Sequence, residues 1–356
     1  MSKLWTVLHP IGAHEVAGFA QHVEAQGWDG LMVPDNQCLW GDTFVSMALA
    51  GAATTELLLA NGAANPATRH PAVLASAIAW VNQSCGGRAQ LGIARGDSAL
   101  AHLGSSPVTI GYFEKYLSLV RRYLTGDGIE LSELGPWLVA PPATSLPVAA
   151  LPEDSRLHWK IDVPRPPIMV FATGPKMIAA AARLADRICF VHGADTDRLR
   201  WAIGVARDAA REAGRDPSEL GFVAGMSMSI ADDIATARQT VAHTVASSAR
   251  FSSMHGAAVG PVNDEDRAVY ESIARSYDMR KHNARGKQID ALTDGFIDRF
   301  AAVGTPTQCI ERMAELRALG IDEFLLGLPY NDVDPDQAAA SHAAFYNSVM
   351  PALHAL

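Results

Sequence analysis

Leu57-Leu-Leu-Ala-Asn61 is an apolar run without alternation, the pattern of a strand buried on both faces. Pro71 then opens a helix to about Gln83, and proline at a first helical position sacrifices no hydrogen bond. Gly86-Gly87 makes the turn, and Ala89 to Ile93 is the next buried strand. Strand, helix and strand in this order form a βαβ unit, which implies parallel pairing with the helix outside the sheet.

The same rhythm extends both ways. Upstream, Leu4 to His9 reads as a first strand. Glu15 to Gln26 is helical, with Val16, Phe19, Ala20 and Val23 on one face and Gly27 just past the end. Leu31-Met-Val-Pro34 is a second strand and Thr43 to Ala53 a helix. Downstream, Thr109 to Leu124 is helical. Strands are expected at Ile168 to Phe171, Arg187 to Val191, Leu220 to Ile230 and Asp322 to Gly327. Helices are expected at Pro175 to Leu184, Asp195 to Ala213, Ala231 to Ser248, Phe296 to Val303, Thr307 to Leu319 and Pro335 to His354. Thr305-Pro306 is a helix start, with threonine as N-cap and proline at N1. Eight strands, mostly each followed by a helix, specify an α/β fold, the (β/α)8 TIM barrel. The competing architecture, an open doubly wound sheet, needs a glycine-rich phosphate turn after its first strand. His9-Pro-Ile-Gly-Ala-His14 has no such pattern.

Two stretches break the rhythm. Thr125 to Pro167 holds Pro136, Pro141, Pro142, Pro147, Pro152, Pro164, Pro166 and Pro167, a density that forbids a regular helix. It reads as a long loop over the barrel mouth, or as a disordered segment. Arg250 to Asp290 shows little apolar periodicity before Gln288 and reads as a cap or interface element. The expectation is one TIM-barrel domain over residues 1–356, with insertions at about 125–167 and 250–290.

Composition narrows the function. Hydrophobic residues at 49% against 19% charged residues provide for a large core. The net charge of −9, without a Lys/Arg block, argues against nucleic acid and anionic membrane as partners. No stretch is long and apolar enough to span a bilayer, and the amino terminus lacks a signal-peptide pattern. Cys38, Cys85, Cys189 and Cys309 form no C-x-x-C pair, consistent with buried thiols in a reducing cytoplasm. The histidines show no tight ligand spacing, so no metal site is expected. G-x-S-x-G is absent, which disfavours a serine hydrolase.

In a barrel, chemistry gathers at the C-terminal strand ends. The second strand ends in Pro34-Asp-Asn-Gln37, the third in Asn61-Gly-Ala-Ala-Asn-Pro66 and the fourth in Ala94-Arg-Gly-Asp-Ser98. The fifth ends in Ala172-Thr-Gly-Pro-Lys-Met177 and the sixth in His192-Gly-Ala-Asp195. Thr173, Gly174, Pro175, Lys176 and Met177 place a hydroxyl, a glycine and a cation at a helix N-terminus, where unpartnered N–H groups bind anions. Arg95 beside Gly96 is suited to grip a phosphate or to pair with Asp97. Asp35 and Asp97 are candidate acid/base carboxylates, or helix caps.

These residues carry a resemblance. Thr68-Arg-His-Pro-Ala-Val-Leu-Ala-Ser-Ala-Ile78, Gly86-Gly-Arg-Ala-Gln-Leu-Gly-Ile-Ala-Arg-Gly-Asp-Ser-Ala99 and Ala172-Thr-Gly-Pro-Lys-Met177 resemble the luciferase-like superfamily. The greatest likeness is to its coenzyme F420-dependent branch, typified by methylenetetrahydromethanopterin reductase. Ala25-Gln-Gly-Trp-Asp-Gly-Leu-Met-Val-Pro-Asp35 and Phe300-Ala-Ala-Val-Gly-Thr-Pro-Thr307 fit as well. The resemblance implies a barrel that binds F420 or, alternatively, FMN, usually as a homodimer. It implies that Gly62, Ala63 and Ala64 form a bulge with a non-prolyl cis peptide against one face of the ring, with Asn65 near the pyrimidine edge. Arg95, Gly96 and Thr173 to Met177 would hold phosphate, with His192 and Gly193 lining the same tail.

There are departures. The reductases carry a first-strand glutamate where Trp5-Thr6 stand, which weakens the case for tetrahydromethanopterin as substrate. Luciferases carry a histidine after the second strand where this chain has Asn36, which weakens the case for oxygen chemistry. The resulting expectation is hydride transfer between F420 and a small organic substrate, with Asp35 and Asp97 as acid/base groups and Asn36 as orienter. The alternatives are an FMN-dependent monooxygenase served by a flavin reductase, and a non-catalytic flavin or F420 carrier. Trp40 and the two insertions are expected to roof the substrate or, for Trp40, to pack in the core.

Overall fold

The computed structural model describes residues 2–138, 140, 147–254, 256–282 and 284–356. Pro141 and Pro142 of the first insertion lie outside the described residues. The fold is a (β/α)8 barrel. The elements run β1 (Lys3–Val7), α1 (Val16–Ala25), β2 (Gly30–Pro34), α2 (Thr43–Ala53), β3 (Leu58–Gly62), α3 (Pro71–Ser84), β4 (Ala89–Ile93), α4 (Ser98–Ala101), α5 (Ile110–Thr125), α6 (Leu131–Leu134) and β5 (Ile168–Ala172). They continue with α7 (Pro175–Leu184), β6 (Arg187–Phe190), α8 (Thr196–Glu212), β7 (Gly221–Ile230), α9 (Ile234–Ala249), α10 (Asp264–Ser276), α11 (Asp294–Phe300), β8 (Ala302–Gly304), α12 (Pro306–Ala318), β9 (Glu323–Gly327), α13 (Pro335–Ala344) and α14 (Met350–Ala355).

The chain packs as two compact units. One comprises Met1–His9, His22–Met32 and Met169–Leu356; the other comprises Pro10–Gln21 and Val33–Ile168.

In the first unit, β1 pairs in parallel with β2 and β9, β9 with β7, β7 with β6, and β6 with β5. The start of these strands is locked by Glu323. Its buried carboxylate accepts from Trp5 Nε1 at 2.8 Å and from Arg187 Nε at 2.9 Å. Trp5 is thus a packed structural residue. Gly30 is required beneath it, because a Cβ there would run into the indole.

Two expectations are corrected in this unit. Phe296 to Val303 is not one helix. α11 stops at Phe300, and Ala302–Gly304 form β8 on the outer end of β7, pairing with Met228, Ser229 and Ile230. The second insertion, read as a cap or interface element with little periodicity, holds a helix that packs into this unit. α10 buries Val269, Tyr270 and Ile273 against Val241, Val245, Phe296 and Phe300. Each such side chain contributes about 1.5–3 kcal/mol of burial. Thr305 caps α12 as expected, with Gln308 reciprocating onto the Thr305 N–H at 2.9 Å.

In the second unit, β3 pairs with β4 in parallel. α5 starts on Thr109, whose hydroxyl accepts from Tyr112 N, and ends on Gly126 at φ +83°. Phe113, Tyr116, Leu117, Val120 and Leu124 form its buried stripe. Among its described residues the first insertion carries α6, a 3-10 turn over Gly135–Trp137, and a bridge between Ile129 and Ser155. Its Trp137 packs on Tyr112 and Tyr116 of α5, with ring centroids 4.5 and 5.4 Å apart. Among the described residues no helix is long and apolar enough to cross a membrane.

Candidate functional site

The second unit gathers the ends of β3 and β4 with the segment after β2. β3 leads into the expected bulge, and the Gly62–Ala63 peptide is cis. Ala64 continues the ladder, donating to Gly92 O and accepting from Ala94 N, both at 2.9 Å. Asn61, fully buried, exchanges two side-chain bonds with Gly92 at 2.7 and 3.0 Å. The bulge is therefore held rigidly by its neighbour strand. Asn65 Oδ1 accepts from the N–H groups of Ala67 and Thr68 at 3.0 and 3.2 Å. Its side-chain carbonyl thus shapes the turn.

Gly96 sits at φ +94°, and a Cβ there would run into Leu100 and approach Asn65. Arg95 Nε donates to Val108 O at 2.5 Å, and Val108 N donates back to Arg95 O at 3.1 Å. The arginine is thus tied to the segment entering α5. Burial lowers the pKa of its guanidinium. Asp97 begins α4 through its backbone carbonyl, with no side-chain cap. Asn36 Nδ2 donates to Ser98 Oγ at 2.8 Å, and Gln37 Nε2 donates to Ala99 O at 2.8 Å. These bonds bring the segment after β2 against the segment after β4. Trp40 is half-buried, and its indole N–H is enclosed without a partner.

Asp35 caps no helix. It is buried, and its Oδ2 lies 2.8 Å from Arg69 Nη1. Burial raises its pKa, and the nearby Arg69 cation opposes that rise. Arg69 also reaches Asp42 Oδ2 at 3.3 Å. Asp42 meanwhile caps α2, accepting from Phe44 N and Val45 N. Sequence reasoning gave Arg69 and Ser98 no role. Both stand within quoted motifs, but neither has a spacing that marks it, since its partner lies more than thirty residues away in the chain.

The first unit holds the remaining candidates. Gly174 caps α7, and open space surrounds the position of a Cβ there. Pro175 occupies N1, Lys176 is exposed and Met177 is buried. This helix start has room for an anion. The Thr173 hydroxyl donates to Phe251 O at 3.1 Å, Pro175 has no N–H and Met177 N donates to Gly174 O at 3.0 Å, so Lys176 is the cation at this helix start. His192 is fully buried, with Nε2 3.0 Å from Thr173 O. That carbonyl only accepts, which assigns the ring proton to Nε2. Burial, reinforced by the Arg198 cation, pushes the His192 pKa down to about 3, so the ring is neutral. Gly193 sits at φ +63° pressed onto the Phe300 carbonyl, and Ala194 N donates to that same oxygen at 2.8 Å. Among the described residues no group of three His, Cys, Asp or Glu is arranged to hold a metal ion.

Comparison with known proteins gives this geometry a context. The family model for luciferase-like monooxygenases matches residues 3–323. The 5,10-methylenetetrahydromethanopterin reductase of Methanolobus tindarius is 28% identical over 329 residues, covering 88% of this chain and 90% of that protein. Among solved structures, the coenzyme F420-dependent tetrahydromethanopterin reductase of Methanopyrus kandleri superposes with a TM-score of 0.73 at 20% identity, covering 98% of this chain and 99% of that one. An F420-dependent secondary alcohol dehydrogenase, solved with an F420-acetone adduct, gives 0.71 at 17% identity and covers 99% of both chains.

Proposed function

The chain belongs to the luciferase-like monooxygenase family, and from that premise we propose that it is an oxidoreductase transferring hydride between coenzyme F420 and a small organic substrate. The observation that supports the reading is a buried, ion-paired carboxylate, Asp35, in the same unit as a hydrogen-bonded bulge after β3 and the Asn36–Ser98 contact. Two of the solved structures described above are F420-dependent enzymes, which supports F420 over FMN.

F420 supplies, when bound, a two-electron hydride carrier whose ring does not activate oxygen. Gly62, Ala63 and Ala64 would back one face of the ring and leave the other to the substrate. The Asn65 side chain would lie near the pyrimidine edge. The helix start at Gly174, Pro175, Lys176 and Met177 takes phosphate, as open space at Gly174 permits. Thr173, tied to Phe251 O and to His192 Nε2, would brace that clamp, and Gly193 would line the same tail. Arg95 and Gly96 contribute a cation and close backbone approach. Asp35 or Asp97 gives or takes the substrate proton, and Asn36 orients the reacting group.

Titration of the purified protein with F420 and with FMN, followed by fluorescence, tests the reading. Saturable F420 binding is expected, weakened about tenfold or more in Arg95→Ala. Tight FMN binding with no F420 binding would replace F420 chemistry with the monooxygenase reading.

We further propose a cytoplasmic homodimer. The four cysteines are unpaired, which suits a reducing compartment. Val45 and Leu49 on α2, and Val73 and Trp80 on α3, are exposed at one-turn and two-turn spacings. Such an apolar face across two packed helices suits a second copy of the chain. Sedimentation velocity should give a dimer, and Trp80→Glu a monomer. A wild-type monomer at micromolar concentration would end this proposal.

A further inference from the structure

Arg69 is not used by the chemistry proposed above, yet it is held on several sides. Its guanidinium lies between two carboxylates, 2.8 Å from Asp35 Oδ2 and 3.3 Å from Asp42 Oδ2. It also sits over the Phe44 ring, 4.9 Å from the centroid. Its backbone carbonyl accepts the Tyr116 hydroxyl at 2.8 Å, which fixes the segment between β3 and α3 to α5. The two carboxylates are not equivalent. The Asp35 side chain is 7% exposed, whereas that of Asp42 is 52% exposed and already caps α2. A buried carboxylate needs a fixed cation, and a guanidinium does not lose its proton in proteins.

We infer that Arg69 is a positioning residue: it keeps Asp35 ionised and oriented, while Asp42 acts as a competing anion that draws part of the guanidinium away. The charged and titratable groups around Asp35 are Arg69 from the β3–α3 segment, Asp42 at the start of α2, and Tyr116 of α5. Removing Arg69 leaves burial unopposed, so Asp35 should hold its proton to higher pH. Removing the Asp42 charge has the opposite sign, because that charge disfavours a second anion and competes for the guanidinium. The two variants therefore move one proton in opposite directions, which lost packing alone would not do. The role in turnover rests on the F420 reading; the ion pair does not.

The test reads the Asp35 carboxylic-acid infrared band in the free protein against pH. Loss of the band in Asp35→Asn identifies it. Arg69→Met should shift the titration upward, and Asp42→Asn, which keeps a capping oxygen, should shift it downward. Arg69→Lys, which keeps the charge without the fork, should fall between wild type and Arg69→Met. Shifts of the same sign in Arg69→Met and Asp42→Asn, or no shift in either, would overturn the inference. If Arg69→Met does not fold, Asp42→Asn decides alone: a downward shift supports it, and any other result rejects it. The acid limb of kcat/KM with F420 should move in parallel. If the infrared shifts split as expected while no variant, nor wild type, turns over with F420, the F420 reading fails and the Arg69 assignment stands.

Discussion

Gly193→Ala should destabilise the protein by about 3–5 kcal/mol, the largest loss expected from adding a single methyl group here. Three effects act together. The residue sits at φ +63°, where an L side chain costs about 1 kcal/mol. The new Cβ would collide with the Phe300 carbonyl oxygen and ring, neither of which is a flexible chain end. Relieving the collision moves Ala194 off Phe300 O and breaks a 2.8 Å hydrogen bond. At about 1.3 °C per kcal/mol for a chain of 356 residues, the melting temperature should fall by roughly 4–7 °C. Gly174→Ala provides the contrast. That position has an ordinary φ of −89° and open space around it, so stability should stay within about 0.5 kcal/mol while cofactor affinity falls. Equal melting temperatures for Gly193→Ala and wild type would refute the packing argument.

Asp35→Asn should lower turnover by about 10²–10³-fold while cofactor affinity changes only a few-fold. The amide keeps the volume and still accepts from Arg69, but it cannot exchange a proton. Stability carries a signature of the same group. Burial raises the folded-state pKa of Asp35 above its ordinary value. The folded protein therefore binds this proton more tightly than the unfolded chain, and the Asp35 contribution to stability declines as pH rises from the ordinary carboxylate value through the folded one. The Asn variant should lack that decline. Turnover within threefold of wild type across the pH range would remove Asp35 from the reaction and leave Asp97 as the acid/base group.

Much of this architecture was legible in the chain. Buried parallel strands such as Ile168–Ala172 read as unbroken apolar runs, and helix starts such as Thr305-Pro306 carry their own chemistry. β8 escaped because three residues are too few to show a period, and its partner at the end of β7 is about seventy residues earlier. α10 escaped because it starts on Asp264, Glu265 and Asp266 and buries few apolar side chains, so its stripe is faint. At the candidate site, strand-end position marked Asp35, Asn36 and Arg95. What each one touches was not legible. Arg95 could be read as a phosphate ligand or as a partner of Asp97, yet its Nε is given to a backbone carbonyl thirteen residues on. The Asp35–Arg69 and Asn36–Ser98 contacts are set by tertiary approach, which leaves no local trace in sequence.

Asp42 holds two N–H groups at the head of α2 with one carboxylate oxygen and an arginine with the other. That double employment narrows the substitutions that drift can accept at this position. Asparagine keeps the cap and surrenders the charge. Glutamate keeps the charge, but its longer arm caps poorly. Serine caps but cannot restrain the arginine. An outwardly ordinary surface aspartate is thereby coupled to the protonation of a buried neighbour. Lineages that relax it should show a changed acid limit of activity before they show any loss of fold.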